Sequence, residues 1–202
     1  MLGDSTSILY EPYLKKALKD NFYYSRKTGK EPELAGFSEI QKPNAKDSRK
    51  TKDYLKLISA KFNTDILLIN TGLHDIRYEI NSSTPQVSIQ DYEKNLKDII
   101  KLGKKCSKII IWITTTHIND TQHNNYPGIT FKRFEEDNEN YNQVALKIMK
   151  LNEIPIIDLR QFTLDIGGNV FTDHCHFTKQ VRQKQAFYIA QQIENMSLWM
   201  LN

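Results

Sequence analysis

The chain predicts an α/β fold with a mostly parallel sheet covered on both faces. Two observations carry this. The runs Asp65–Asn70, Lys108–Thr114 and Ile154–Leu159 are apolar almost throughout instead of alternating, as in strands buried on both faces. The segments between them carry apolar residues at helical spacing, so strand and helix patterns alternate along the chain.

Each element follows from local pattern. A first helix is expected from about Thr6 to Lys19, where Ile8, Leu9, Tyr13, Leu14, Ala17 and Leu18 share a face. Gly29 to Glu33 reads as a polar loop, and Gly36 to Gln41 as a short strand ended by Pro43. Arg49 to Phe62 is expected to be a helix on Tyr54, Leu55, Ile58 and Phe62. Ser88 to Leu102, Phe131 to Leu151 and Thr178 to Met200 supply three further helices. The polar stretch Thr115 to Thr130, with Tyr126-Pro127-Gly128, reads as a loop that either faces substrate or merely connects. With no repeat or linker, residues 1–202 are expected to form a single domain.

Composition excludes several function classes. No apolar run approaches membrane-spanning length. The net charge of +4 is spread along the chain, and the basic stretches Lys46–Lys56 and Lys97–Lys108 are broken by Asp and apolar residues. That is the pattern of solvated helix faces and not of a nucleic-acid stripe. Cys106 and Cys175 make a disulfide framework unexpected, and they leave the compartment open.

In a parallel sheet, chemistry belongs at the carboxyl ends of the strands. Three loops there are loaded: Gly3-Asp4-Ser5 after Leu2, Asn70-Thr71-Gly72-Leu73-His74-Asp75 after Ile69, and Asp173-His174-Cys175-His176 before the last helix. Serine is a poor nucleophile until an imidazole takes its proton, and a carboxylate can fix that imidazole's tautomer. Asp173 and His176, three residues apart, can serve one serine together. Ser5 opens a helix whose free N–H groups favour a developing oxyanion, although Asp4 would cap that helix whatever the activity.

The start is anomalous, since Gly3-Asp4-Ser5 should follow a buried strand and only Met1 and Leu2 precede it. A first strand truncated in this way leaves a slot in the sheet. Either Met1 is an internal methionine of a longer chain or other residues fill the slot. No signal peptide is seen in this chain, and localisation therefore stays undetermined.

The three blocks, in this order and at these strand ends, resemble the SGNH (GDSL-type) hydrolases across nearly the whole chain. The resemblance implies a flavodoxin-like three-layer α/β/α sandwich and acyl-ester chemistry without metal or other cofactor. It implies Ser5 as nucleophile, His176 as general base and then acid, and Asp173 as the orienting carboxylate. It also implies three oxyanion donors: the nucleophile's N–H, the N–H of a glycine after the second strand, and an asparagine side chain in the third block. Here Asn44-Ala45-Lys46-Asp47-Ser48-Arg49 puts Lys46 at the glycine, and His74 stands at the asparagine. Ser5, Lys46 and His74 are thus the expected oxyanion donors. Lys46 must take a left-handed backbone at some cost, and His74 is expected to titrate near neutrality. One such donor is worth about 3–4 kcal/mol in a transition state.

Several residues have plainer readings. His174 is expected to neighbour the triad, Cys175 to be a small buried packer, Asp75 to structure its turn, and Tyr141 and Asn142 to pack in the core. Arg77 would pair with Asp75 or with a substrate carboxylate. Asp173, His174 and His176 could instead share a metal, completed by His74, His117 or His123. The expected activity is hydrolysis of a small acyl ester on a carbohydrate or polar metabolite, because the loops are polar and lack a large apolar cap. Two alternatives are an acyltransferase on the same scaffold and a weakened module that only binds ligand. Acyl group, alcohol and oligomeric state are not fixed by sequence.

Overall fold

The computed structural model describes residues 1–31, 35–36 and 42–200. Helices α1 (Ser5–Leu18) and α2 (Ser48–Ile58) precede strand β1 (Thr64–Ile69). Then come β2 (Tyr78–Glu79), α3 (Ile89–Gly103), β3 (Ser107–Ile113), α4 (Asp120–Asn124) and β4 (Phe131–Lys132). Helix α5 (Glu135–Leu151), β5 (Ile156–Ile157), α6 (Leu159–Ile166) and α7 (Lys179–Met200) complete the chain.

Helix starts are set by side-chain caps. Asp4, Asp47, Ser88 and Asp158 accept the orphan N–H groups at the starts of α1, α2, α3 and α6. Phe134 gives α5 no such bond, but Glu135, Glu136 and Asp137 place negative charge at its positive end.

The main sheet runs β1-β3-β5, all parallel. Its side chains alternate between two cores, as a pleated strand requires. Leu67, Ile69, Ile110 and Trp112 pack with α2, α3 and α5. Leu68, Ile111, Ile113 and Ile157 pack with α1 and α7. Three layers result, in the α/β/α arrangement expected from the uniformly apolar strands. Gly103 seats α3 closely on the sheet; a Cβ there would lie 2.8 Å from Ile110 Cδ1.

The chain's first residues take part in the sheet. Leu2 bridges Ile69 in parallel, with Leu2 N–H on Leu68 O at 2.9 Å and Asn70 N–H on Leu2 O at 3.0 Å. On the other flank the Met1 ammonium donates to Ser25 O at 2.8 Å and Lys27 N–H donates to Met1 O at 3.1 Å. Residues Ser25 and Lys27 therefore occupy part of the expected slot. A cavity of about 410 Å³ adjoins Met1, Ser25 and the amino-terminal half of β1. It lies at the end of β1 away from Ser5.

Several boundaries differ from the sequence pattern. Helix α2 ends at Ile58, short of Phe62. Phe131 and Lys132 do not open a helix; they pair antiparallel with Glu79 and Tyr78. The strand expected to reach Leu159 stops at Ile157, because Asp158 caps α6 there. The Thr115–Thr130 stretch contains α4 instead of loop throughout. The short strand expected at 36–41 lies outside the described residues but for Gly36. No helix among the described residues is long and apolar enough to cross a membrane.

Ile111 is fully buried in the α1/α7 core. Ile111→Ala should lower unfolding free energy by about 2–5 kcal/mol, read as a lower urea midpoint at unchanged slope.

Candidate active site

The carboxyl ends of the strands are stitched before any side chain reaches outward. Asn70 Nδ2 donates to Ile113 O at 3.0 Å and Thr114 O at 3.3 Å, joining the ends of β1 and β3. Gly72 approaches Thr115 so closely that a Cβ would sit 2.7 Å from its hydroxyl, and its φ of +150° suits glycine.

Ser5 begins α1. Asp4 caps it, accepting from Thr6 N–H at 2.9 Å and Ser7 N–H at 3.4 Å. The Ser5 N–H has no hydrogen-bond acceptor among the described residues, so it stays available at the helix's positive end. His176 Nε2 lies 2.9 Å from Ser5 Oγ, and His176 Nδ1 lies 2.8 Å from Asp173 Oδ2. Asp173 Oδ1 also accepts from Cys175 N–H at 2.9 Å and His176 N–H at 2.8 Å. Burial opposes the Asp173 charge, but these N–H donors outweigh it and hold the carboxyl below its ordinary range. A carboxylate only accepts, so it fixes the neutral ring as Nδ1–H and leaves Nε2 to accept from Ser5. Such a chain can activate a hydroxyl.

His174 points elsewhere, its Nδ1 lying 2.7 Å from His123 Nδ1. Gln122 Nε2 donates to Asp173 O at 3.0 Å. Helix α4 thus clasps the loop carrying Asp173 and His176, a role that polar composition did not reveal. Burial lowers His123 to about 4 and also lowers His174, so the pair is neutral near pH 7. Cys175 is a buried packer whose thiol burial pushes up to about 12. His117 packs edge-on against Phe171 and Phe177. Asp173, His174, Cys175 and His176 each offer a donor atom within 4.8 Å of one another. Asp173 and His176 are already engaged with each other, with Ser5 and with the loop's own backbone, and His174 Nδ1 faces His123, so a cation there would compete with the Ser5–His176 bond.

The two blocks expected to hold an oxyanion are tied together. Ser48 N–H donates to both Asp75 oxygens at 3.0 Å, Ser48 Oγ donates to Asp75 Oδ1, and Thr71 Oγ1 donates to Lys46 O at 3.4 Å. Burial raises Asp75 to about 7 against the Ser48 bonds that favour its charge. Lys46 takes φ +57°, the left-handed backbone that its position required. Its N–H donates to Asn44 Oδ1 at 2.7 Å. The third-block His74 does not titrate near neutrality as expected: burial, with Arg133 and Arg77 nearby, lowers it to about 4 against the pull of Asp4 and Asp47. Arg77 pairs with Glu79 at 2.9 Å instead of Asp75. Tyr141 and Asn142 are core residues, with Tyr141 Oη on Val87 O at 2.6 Å and Asn142 bonded to the Thr115 N–H and carbonyl.

No family model and no curated protein matches this sequence. Solved structures do. A GDSL-like lipase from Bacteroides thetaiotaomicron is 16% identical, with a TM-score of 0.65 over 96% of this chain and 86% of that one. An acetylxylan esterase from Geobacillus stearothermophilus is 15% identical, with a TM-score of 0.60 over 96% of this chain and 90% of that one. A carbohydrate acetylesterase from Sinorhizobium meliloti is 10% identical, with a TM-score of 0.60 over 95% of this chain and 86% of that one. At these identities the likeness establishes the fold, which is that of the SGNH (GDSL-type) hydrolases.

The His74 shift has a sign that can be read. A histidine lowered from 6.5 to about 4 contributes stability that is present above pH 6.5 and lost as pH falls toward 4. His74→Asn should therefore gain stability relative to the parent protein across that window and nowhere above it, measured by thermal melts at stepped pH.

Proposed function

We propose that residues 1–202 form one serine ester hydrolase domain that works through an acyl-enzyme. The observation that carries this is the continuous chain from Ser5 Oγ to His176 Nε2 at 2.9 Å and from His176 Nδ1 to Asp173 at 2.8 Å. It stands at the start of α1, where the Ser5 N–H faces the site.

In this reading Ser5 Oγ attacks the ester carbonyl carbon while its proton passes to His176 Nε2. The oxyanion accepts hydrogen bonds from the Ser5 N–H and the neutral His74 ring. The Lys46 N–H joins them when Asn44 releases it. Collapse breaks the bond to the alcohol oxygen, which takes the proton from His176. Water then attacks the acyl carbon as its proton passes to His176 Nε2; the acyl carbon–Ser5 Oγ bond breaks, Ser5 Oγ takes that proton back, and the acid is released. No metal or cofactor enters these steps.

The substrate is a small acyl group, such as acetyl, on a carbohydrate or polar metabolite. The polar character of the loops around Ser5 supports this, and so do the activities named for the acetylxylan and carbohydrate esterases that share the fold.

A fluorophosphonate probe should label the protein at Ser5 and fail on Ser5→Ala. Acetyl esters should be turned over in preference to long-chain esters, and turnover of long-chain esters alone would overturn the substrate assignment. Folded protein without labelling would favour a ligand-binding role. His74→Ala should lower kcat about 10²–10³-fold with little change in KM, whereas His74→Asn should keep or raise activity.

A further inference from the structure

Beside the Ser5 site lies a buried cation with no ion-pair partner among the described residues. Arg133 exposes 3% of its surface. Arg26, Arg49, Arg77 and Arg160 each pair with a carboxylate, but among the described residues none lies within ion-pair distance of Arg133. Its Nε has no hydrogen-bond partner. The Cys175 thiol shares a hydrogen bond with the Arg133 side chain but stays neutral, and the Asp4 carboxylate acts on Arg133 from beyond ion-pair distance while it caps Thr6 and Ser7.

The position is built and not incidental. Asn124 brackets the Arg133 backbone, accepting its N–H at 3.0 Å and donating to its carbonyl at 2.9 Å. The guanidinium carbon lies 4.8 Å from the Phe131 ring centroid, and that of Arg77 lies 4.2 Å from the same centroid. The Phe131 ring in turn packs against His123 and His174. The two arginines therefore stand between the loop carrying His74 and the loop carrying Asp173 and His176. Burying an uncompensated guanidinium is expensive, and stacking on one ring offsets only part of it. Arg77 is balanced by the exposed Glu79, and Asp4 lies beyond ion-pair distance of Arg133, so the Arg133 guanidinium has no direct anionic partner and matches a monovalent anion.

We propose that Arg133, with Arg77 across the Phe131 ring, binds a carboxylate carried by the ester substrate, so that the enzyme acts on acylated acidic sugars or other acylated hydroxy acids. The planar guanidinium fork suits a carboxylate, and the surface pair of Arg77 with Glu79 can be exchanged for it at little expense. This inference rests on the hydrolase reading and narrows its substrate.

The test compares kcat/KM for an O-acetylated methyl glucuronide and for its uncharged carboxamide. The acid should be favoured at least about tenfold, less so at high salt. Arg133→Gln should bring the ratio close to one, and Arg77→Gln should reduce it in part. Circular dichroism and a thermal melt establish folding; if Arg133→Gln does not fold, Arg133→Lys and Arg77→Gln carry the comparison. A ratio near one in the parent protein overturns the proposal. So does an unchanged ratio in folded Arg133→Gln, or an equal fall for both esters, which would place the charge at the oxyanion. Fluorophosphonate labelling of Ser5 separates failure of the hydrolase reading from failure of this one. If neither ester is cleaved, calorimetry with methyl glucuronide decides: binding lost in Arg133→Gln supports the site, and no binding in the parent protein refutes it.

Discussion

The Asp173 carboxylate organises the candidate site of this protein. One oxygen gathers the N–H groups of Cys175 and His176 into a tight loop, and the other holds the His176 ring. Loop shape, ring orientation and ring tautomer therefore have one cause. The rest of the fold delivers partners to it: Leu2 pairs with β1 and sets Ser5 at the head of α1, and Gln122 anchors the Asp173 carbonyl from α4. Each link is modest in energy. Their value lies in orientation, because an activated hydroxyl needs its base at hydrogen-bond distance before substrate arrives.

Electrostatics divide the site into two halves. On the acid–base side a paired carboxylate holds its negative charge beside a histidine. On the other side Asp75 is buried and ties the Ser48 segment to the His74 loop, while burial, with Arg133 and Arg77 adding to it, keeps His74 neutral. A neutral imidazole donates a weaker hydrogen bond than an imidazolium, but it does so at every pH from weakly acidic upward.

Sequence made the frame legible because buried parallel strands and capped helices leave local signatures. The apolar runs at Asp65–Asn70 and Lys108–Thr114 became β1 and β3 nearly residue for residue. The Gly3-Asp4-Ser5, His74 and Asp173–His176 blocks fell at one sheet edge. What was not legible depends on distant partners. Phe131 and Lys132 form a strand because Tyr78 and Glu79 lie opposite, which no window of the sequence contains. Leu159 extends an apolar run, yet Asp158 caps a helix there. Arg133, inside the stretch expected to be the Phe131–Leu151 helix, gains its meaning from Phe131, Arg77 and Cys175 gathered around it. The depressed titration of His74 likewise needs burial and two arginines that sequence spacing does not place.

The account stands or falls on the tautomer that Asp173 imposes on His176. Nitrogen-15 NMR of the protein labelled at histidine, at about pH 8 where an ordinary imidazole is neutral, reads this directly. The expected spectrum shows His176 protonated at Nδ1 and bare at Nε2, with that preference lost in Asp173→Asn. A His176 protonated at Nε2, or one indifferent to Asp173→Asn, would contradict the account.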